Sequence, residues 1–127
     1  MPSANKSDLN IFRSGRFECL ETNVKALVRD NFDVPKSTTV NIDYGWIVNI
    51  APNDRGILHN HPTYPLVAVY YVNTKVGCGD LVLHGKNLVR LTPSDDSLVI
   101  FPGSIYHHIE PNLSNYTRTS IGMHITY

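Results

Sequence analysis

The chain downstream of Pro35 is divided into short runs rich in Val, Ile, Thr and aromatic residues, and turn-forming residues separate them. The first group of residues favours extended backbone, whereas Gly, Pro, Asn and Asp favour turns. About eight strands at such short, regular spacing are typical of an antiparallel sandwich or barrel. The predicted fold is therefore all-β, and among closed antiparallel folds a jelly roll, or double-stranded β-helix, fits best. The predicted extended runs are residues 37–42, 44–50, 56–61, 66–72, 80–84, 87–91, 97–101, 104–109 and 117–126.

One short helix is predicted before these strands. Val24, Leu27 and Val28 have helical spacing, and either Thr22 or Asn23 could cap the start of the helix. The predicted helix continues to about residue 31, because the Asp-Val-Pro sequence that follows stops it. The mixed segment from residue 11 to residue 20 is expected to be extended.

The length of 127 residues predicts a single domain. We expect an N-terminal extension and helix over about residues 1–36 and a barrel over about residues 37–127. No internal repeat or linker divides the sequence.

Charge and composition exclude several kinds of partner. Eleven Lys and Arg balance eleven Asp and Glu, so neither a broad nucleic-acid surface nor a polybasic membrane patch is expected. No apolar run approaches the roughly 20 residues that span a bilayer. The polar N-terminus shows no secretory signal, and two cysteines are too few for a disulfide framework. We therefore expect a cytoplasmic location, and the sequence leaves the oligomeric state open.

Three of the six histidines are candidate metal ligands. His59 and His61 form an H-x-H pair on a predicted strand, where side chains two residues apart point to the same face. His107 lies 46 residues after His61, at the start of a later strand. A pair on one strand and a distant histidine on another can form a three-ligand face with open positions for substrate and oxygen.

The other three histidines are not expected to bind the metal. In a regular strand His108 faces away from its neighbour His107, so we expect it at the surface. His84 and His124 are ambiguous, and we interpret both as non-ligands.

Four segments, in order, resemble motifs of the iron(II)/2-oxoglutarate-dependent dioxygenases, especially the short oxygenases of bacterial and marine phage genomes. The histidine pair at residues 59–62 occupies the place of the family's H-x-D/E ligands. Residues 70–73 and 77–81 are similar to a segment of prolyl-hydroxylase-like members. The strand at residues 98–102, followed by His107, resembles the element that carries the distal histidine ligand. Arg118-Thr119-Ser120, eleven residues after His107, matches the family's R-x-S element.

This resemblance implies an activity and a set of cofactors. The expected enzyme would use Fe(II) and 2-oxoglutarate to hydroxylate a C–H bond of an unknown substrate, either a small molecule or a protein side chain. His59, His61 and His107 would hold the iron. The far carboxylate of 2-oxoglutarate would pair with Arg118, since a buried carboxylate needs a charged donor. Ser120 and Tyr71 would add hydroxyl donors.

One residue departs from the family pattern. His61 stands where the family usually has Asp or Glu, a hard anionic ligand suited to Fe(II). Three-histidine sites support oxygen chemistry in cupin dioxygenases, which share the barrel fold. Two alternatives therefore stay open: a cupin-like metalloprotein that does not use 2-oxoglutarate, and a non-catalytic phage structural or interaction module on the same fold.

Overall fold

The computed structural model describes residues 5–6 and 10–127, and it folds into two antiparallel sheets with one α-helix. The nine strands are β1 (Asn5–Lys6), β2 (Asn41–Ile50), β3 (Gly56–His59), β4 (Leu66–Asn73), β5 (Leu81–His84), β6 (Leu88–Leu91), β7 (Leu98–Pro102), β8 (Tyr106–Ile109) and β9 (Arg118–Thr126). The larger sheet has the order β1-β2-β9-β4-β7, and the smaller has the order β3-β8-β5-β6. The predicted all-β fold is confirmed.

Strand β9 is central to the larger sheet, because β2 and β4 pair with its two edges. Its side chains alternate between two different environments. Ile121, Met123 and Ile125 belong to a buried cluster that also includes residues of the helix. The intervening side chains face the space between the sheets, where Val67, Leu81 and Phe101 form a second cluster. One strand thus separates an outer apolar layer from the interior of the barrel.

The helix α1 (Glu18–Asn31) starts four residues before the predicted Thr22 cap, so the predicted start is wrong. Phe17 precedes the helix without a side-chain capping bond. Instead, Phe17 and Leu20 pack against the buried outer cluster, and acidic Glu18 and Glu21 lie in the first turn. Apolar packing and acidic side chains near the positive end of the helix replace the polar cap that the sequence suggested.

The segment from residue 11 to residue 20 is not extended as predicted. A 3₁₀ helix spans Ile11–Ser14, and the side chain of Asn10 accepts a hydrogen bond from the Phe12 amide at 3.2 Å. The ring of Phe12 lies where a Cβ on Gly45 would be, so a glycine in β2 makes room for it. The predicted strand at residues 37–42 is also too long, since β2 begins at Asn41.

Candidate metal centre and cavity

The side chains of His59, His61 and His107 come together between the two sheets. One ligand atom from each lies within 4.8 Å of the others. His59 on β3 and His107 on β8 are register partners in adjacent antiparallel strands, and their ring centroids are 4.3 Å apart. His107 is buried, while His59 and His61 are half-buried. Cross-strand pairing, rather than sequence spacing, therefore brings the distant histidine to the pair.

The position of His61 does not follow from strand geometry. Strand β3 ends at His59, so the prediction that a strand at residues 56–61 carries both histidines is wrong. His61 lies in the following turn, where its amide donates a 2.8 Å hydrogen bond to the Gly103 carbonyl. A Cβ on Gly103 would overlap the carbonyl oxygens of His61 and Tyr64. The close approach of two turns, made possible by a glycine, holds His61 beside His59.

Backbone carbonyls orient two of the three imidazoles. The Nδ1 atom of His59 lies 2.8 Å from the Ile57 carbonyl oxygen, and Nδ1 of His107 lies 3.2 Å from that of Ile105. A carbonyl only accepts hydrogen bonds, so these contacts place the proton on Nδ1. Each ring is left with an Nε2 lone pair, which is the form of neutral imidazole that binds metals.

The third imidazole has a different partner, which the sequence interpretation missed. Nδ1 of His61 lies 2.9 Å from Nε2 of His124 on β9. Alternation along β9 contains a signal for this residue, because His124 is in phase with Arg118 and Ser120, the two residues assigned to the cavity. His124 therefore contacts a candidate metal ligand.

The remaining two histidines form a pair of their own. Nε2 of His84 on β5 lies 2.7 Å from Nδ1 of His108 on β8. Alternation along β8 places His108 on the face opposite His107.

Burial holds the inner histidines in their neutral form. It is the main cause that lowers the pKa of His61 to about 3, and neighbouring histidines, His124 first, lower it further. Burial likewise lowers the pKa of His107 to about 4. The pKa of His124 is about 4, because burial and the nearby Lys6 ammonium both disfavour its charged form. At neutral pH these imidazoles therefore carry free lone pairs.

The candidate 2-oxoglutarate residues Arg118, Ser120 and Tyr71 lie close to one another, and all three are buried. Ser120 and Tyr71 are register partners on β9 and β4. The three nitrogens of the Arg118 guanidinium and the phenol oxygen of Tyr71 have no hydrogen-bond partner among the described residues. Burial raises the pKa of the Tyr71 phenol, and the guanidinium opposes that rise. Burying a charged group without an anionic partner is costly, so this arrangement fits a site for an anion.

A cavity of about 380 Å³ joins the two groups of residues, and its size is typical of small-molecule sites. The three histidines lie along it with Arg118 and Ser120, while Val67, Val69 and Leu81 contribute apolar wall. Lys6 also borders the cavity, with its ammonium 4.7 Å from the centroid of the Trp46 ring. None of the described residues that line this cavity is acidic.

The donor set of the three histidines fits a first-row divalent metal. Nε2 of His61 is buried and has no hydrogen-bond partner among residues 5–6 and 10–127. A buried, unpartnered ring nitrogen is costly in a metal-free protein but suits metal coordination. Imidazole ligands suit iron, zinc, copper and nickel alike, so the donor set alone does not select iron.

Comparison of the sequence with protein-family models and with curated proteins finds no match. Comparison of the structure with solved structures does find similar proteins. An oxidoreductase of the 2OG-Fe(II) oxygenase family from Burkholderia pseudomallei is similar over 93% of this chain and 60% of its own, with a TM-score of 0.78 and 16% identity. A prolyl hydroxylase from Trichoplax adhaerens, in complex with a hypoxia inducible factor peptide fragment, gives a TM-score of 0.76 and 15% identity over 99% of this chain and 64% of its own.

The chain has the fold of the 2-oxoglutarate/Fe(II) oxygenases. The predicted double-stranded β-helix is confirmed. The chain spans 60% and 64% of the lengths of the two oxygenases just described. Within the described ranges, no helix is both long and apolar enough to cross a membrane.

The chain is also similar in fold to a cupin barrel. A cupin domain from Bordetella pertussis is similar over 70% of this chain and 91% of its own, with a TM-score of 0.51 and 19% identity. The 2-oxoglutarate/Fe(II) oxygenase fold therefore covers more of the chain, at a higher TM-score, than this cupin does.

Proposed function

We propose that the protein is an Fe(II)- and 2-oxoglutarate-dependent oxygenase that hydroxylates a C–H bond of a substrate still to be identified. The observation that carries this proposal is the buried guanidinium of Arg118, which lacks a partner among the described residues in the interior that also holds the histidine triad. A dicarboxylate that reaches a metal at one end offers its second carboxylate to this guanidinium. The fold of the chain is consistent with that use.

Each polar side chain has a definite task in this proposal. His59, His61 and His107 hold the iron through neutral imidazoles. Arg118 pairs with the far carboxylate of 2-oxoglutarate, and a guanidinium can do so through two parallel hydrogen bonds. Tyr71 donates a hydrogen bond from its phenol hydroxyl to the same carboxylate.

Three further features complete the site. Ser120 donates a hydrogen bond from its hydroxyl group to that carboxylate. The apolar walls exclude water, which strengthens these charged contacts. When bound, Fe(II) supplies the oxygen chemistry, in which 2-oxoglutarate and O₂ become succinate and CO₂ as one oxygen atom enters the substrate.

The identity of the substrate class stays open between a small molecule and a protein side chain. The Trichoplax prolyl hydroxylase, one of the structures with this fold, is in complex with a peptide. The cavity of about 380 Å³ is large enough to hold a small molecule.

A cupin-like metalloprotein that does not use 2-oxoglutarate is the second candidate. The observation that favours it is the all-histidine triad, in which no carboxylate contributes negative charge. Three neutral imidazoles leave the charge of a divalent metal uncompensated until an anionic ligand binds. The two candidates differ in the use of Arg118, which has a task only in the first.

An anaerobic titration separates the candidates. Fe(II) is added to the purified protein and then 2-oxoglutarate, while a weak visible charge-transfer band of the chelate is followed. The band, together with succinate production after oxygen is admitted, supports the oxygenase. Metal binding without the band supports the cupin-like candidate, and no metal binding supports a non-catalytic module. Arg118→Met is the matched variant, because it should bind Fe(II) and fail to form the band.

A further inference from the structure

The three candidate ligands differ in the group that lies within hydrogen-bonding distance of Nδ1. For His59 and His107 the partner is a backbone carbonyl, at 2.8 Å and 3.2 Å. For His61 the partner is the imidazole of His124, at 2.9 Å. A carbonyl can only accept, so it fixes the proton of its partner ring on Nδ1, whereas a neutral imidazole nitrogen can either accept or donate.

The direction of the His61–His124 hydrogen bond therefore decides whether His61 can bind metal. If His61 donates from Nδ1, its Nε2 carries a lone pair. If His124 donates from Nε2, the proton of His61 moves to its own Nε2, the buried nitrogen that has no other partner in the described part of the chain. A protonated Nε2 cannot coordinate a metal.

His124 is held firmly enough to impose one geometry. Its ring stacks on Tyr64 with a centroid distance of 4.0 Å and an interplanar angle of 14°. On another side its centroid lies 4.6 Å from that of Trp46. Its backbone lies within the larger sheet, where β9 pairs it with Tyr44 and Val67. Aromatic packing and sheet pairing thus position Nε2 of His124 beside His61.

We propose that His124 is a positioning residue, which accepts a hydrogen bond from His61 Nδ1 and so directs the Nε2 lone pair of His61 at the metal. The proposal rests on the metal site proposed above. In its role His124 resembles the carbonyls of Ile57 and Ile105, with an imidazole as the acceptor. An imidazole partner adds no anionic group of its own, and none of the described residues that line the cavity is acidic.

Two variants of His124 separate this role from simple packing. His124→Phe keeps an aromatic ring between Tyr64 and Trp46 but removes the acceptor. His124→Gln places an amide oxygen at a similar reach, so that it can accept the same bond. The matched control is His84→Phe, which disrupts the other histidine pair, outside the cavity.

Affinity for Co(II), a redox-stable stand-in for Fe(II), is measured in all four proteins. Loss of a partner that orients a ligating histidine typically lowers metal affinity by about 10- to 100-fold. We expect that loss in His124→Phe, substantial recovery in His124→Gln and no change in His84→Phe. An unchanged affinity in folded His124→Phe overturns the proposal, as does an equal loss in the Phe and Gln variants.

A second measurement needs neither metal nor a variant. Nitrogen-15 NMR of the metal-free wild-type protein at neutral pH reports which nitrogen of His61 carries the proton. We expect protonated Nδ1; protonated Nε2 overturns the proposal even if His124→Phe fails to fold. Failure of the wild-type protein to bind Co(II) or Fe(II) would instead contradict the proposed metal site, so the two failures are distinguishable.

Discussion

The guanidinium of Arg118 lies over the ring of Tyr71, with its Cζ atom 5.1 Å from the ring centroid. The ring face attracts the cation. The three guanidinium nitrogens have no hydrogen-bond partner of normal geometry among the described residues. The pair therefore holds a buried positive charge in place while its donors remain available to a carboxylate. This relationship leads to predictions of opposite sign for ligand binding and for stability.

Replacing Arg118 with Met should weaken 2-oxoglutarate binding and stabilise the ligand-free protein. Loss of one partner of a buried charge pair costs about 3–5 kcal/mol, or about a 150- to 5,000-fold loss of affinity. Removing an unpaired buried charge should raise the free energy of unfolding by about 1 kcal/mol or more. Calorimetric titration and urea unfolding measure the two effects. Arg90→Met is the control, because Arg90 is exposed and pairs with Glu110 at the surface.

Replacing Tyr71 with Phe tests the phenol oxygen alone. The ring and its contact with Arg118 are kept, and only one donor to the proposed carboxylate is lost. Hydrogen bonds to charged groups contribute about 1.5–3 kcal/mol, so affinity for 2-oxoglutarate should fall about 10- to 150-fold. The free energy of unfolding should not fall, since the buried hydroxyl has no described partner. Unchanged affinity would remove Tyr71 from the site.

Replacing His61 with Asp should preserve metal binding and maintain or raise the turnover of 2-oxoglutarate. The carboxylate restores a hard anionic ligand at this position, and His124 can donate a hydrogen bond to it. The shorter side chain should alter the affinity for Fe(II). Fe(II) affinity and succinate production are compared with those of wild type and of His84→Asp, a control outside the cavity. A cupin-like enzyme should instead lose its native activity, and an unchanged Fe(II) affinity would show that His61 is not a ligand.

Replacing Gly103 with Ala should damage the metal site from a distance. The added methyl group would overlap the carbonyl oxygens of His61 and Tyr64, so the turn that carries His61 must move. We expect a loss of about 1–3 kcal/mol in the free energy of unfolding, and a weaker affinity for Co(II). Gly85→Ala is the control, because its Cβ would have an ordinary 3.8 Å contact. Equal metal affinity in both variants would contradict the role given to the turn.

Acid should destabilise the metal-free protein before most carboxylates titrate. Burial lowers the pKa of His61 to about 3 and that of His107 to about 4, from an ordinary value of 6.5. At any pH between the folded-state pKa of each histidine and 6.5, the unfolded chain binds more protons than the folded chain. The free energy of unfolding therefore decreases as the pH falls below about 6.5. Urea midpoints at pH 7.5, 6 and 5 should therefore decrease. The double variant His61→Gln, His107→Gln should give a shallower decrease; an equally steep one would assign the effect to other groups.

The sequence predicts the strands better than the segments between them. Alternation puts Tyr71 in phase with Val67 and Val69, and Ser120 in phase with Arg118, because side-chain direction in a strand follows directly from position. The structure buries all of these except the half-buried Val69. The predicted start of the helix was wrong because the packing of Phe17 and Leu20 against the outer buried cluster stabilises an earlier first turn. No local sequence pattern indicates this packing. Local signals for caps are weak when tertiary contacts compete with them.

The histidines show the same limit at the site. His61 was grouped with His59 on one strand, although the structure holds it by a contact with the turn at Gly103, over 40 residues away. The partnership of His61 and His124 joins residues 63 positions apart and depends on the packing of Trp46 and Tyr64. Pairwise contacts of this kind arise from the folded arrangement, so one sequence cannot specify them.

The adjacent histidines of β8 have a consequence for changes in chain length. His107 faces the cavity and His108 faces outward, so a shift of this strand by one residue reverses the face of each. Deleting one residue from the preceding turn would bring His108 to the inner position and keep an imidazole there. Inserting one residue would bring Tyr106 there and replace the imidazole with a phenol. The turn before β8 should therefore tolerate shortening better than lengthening.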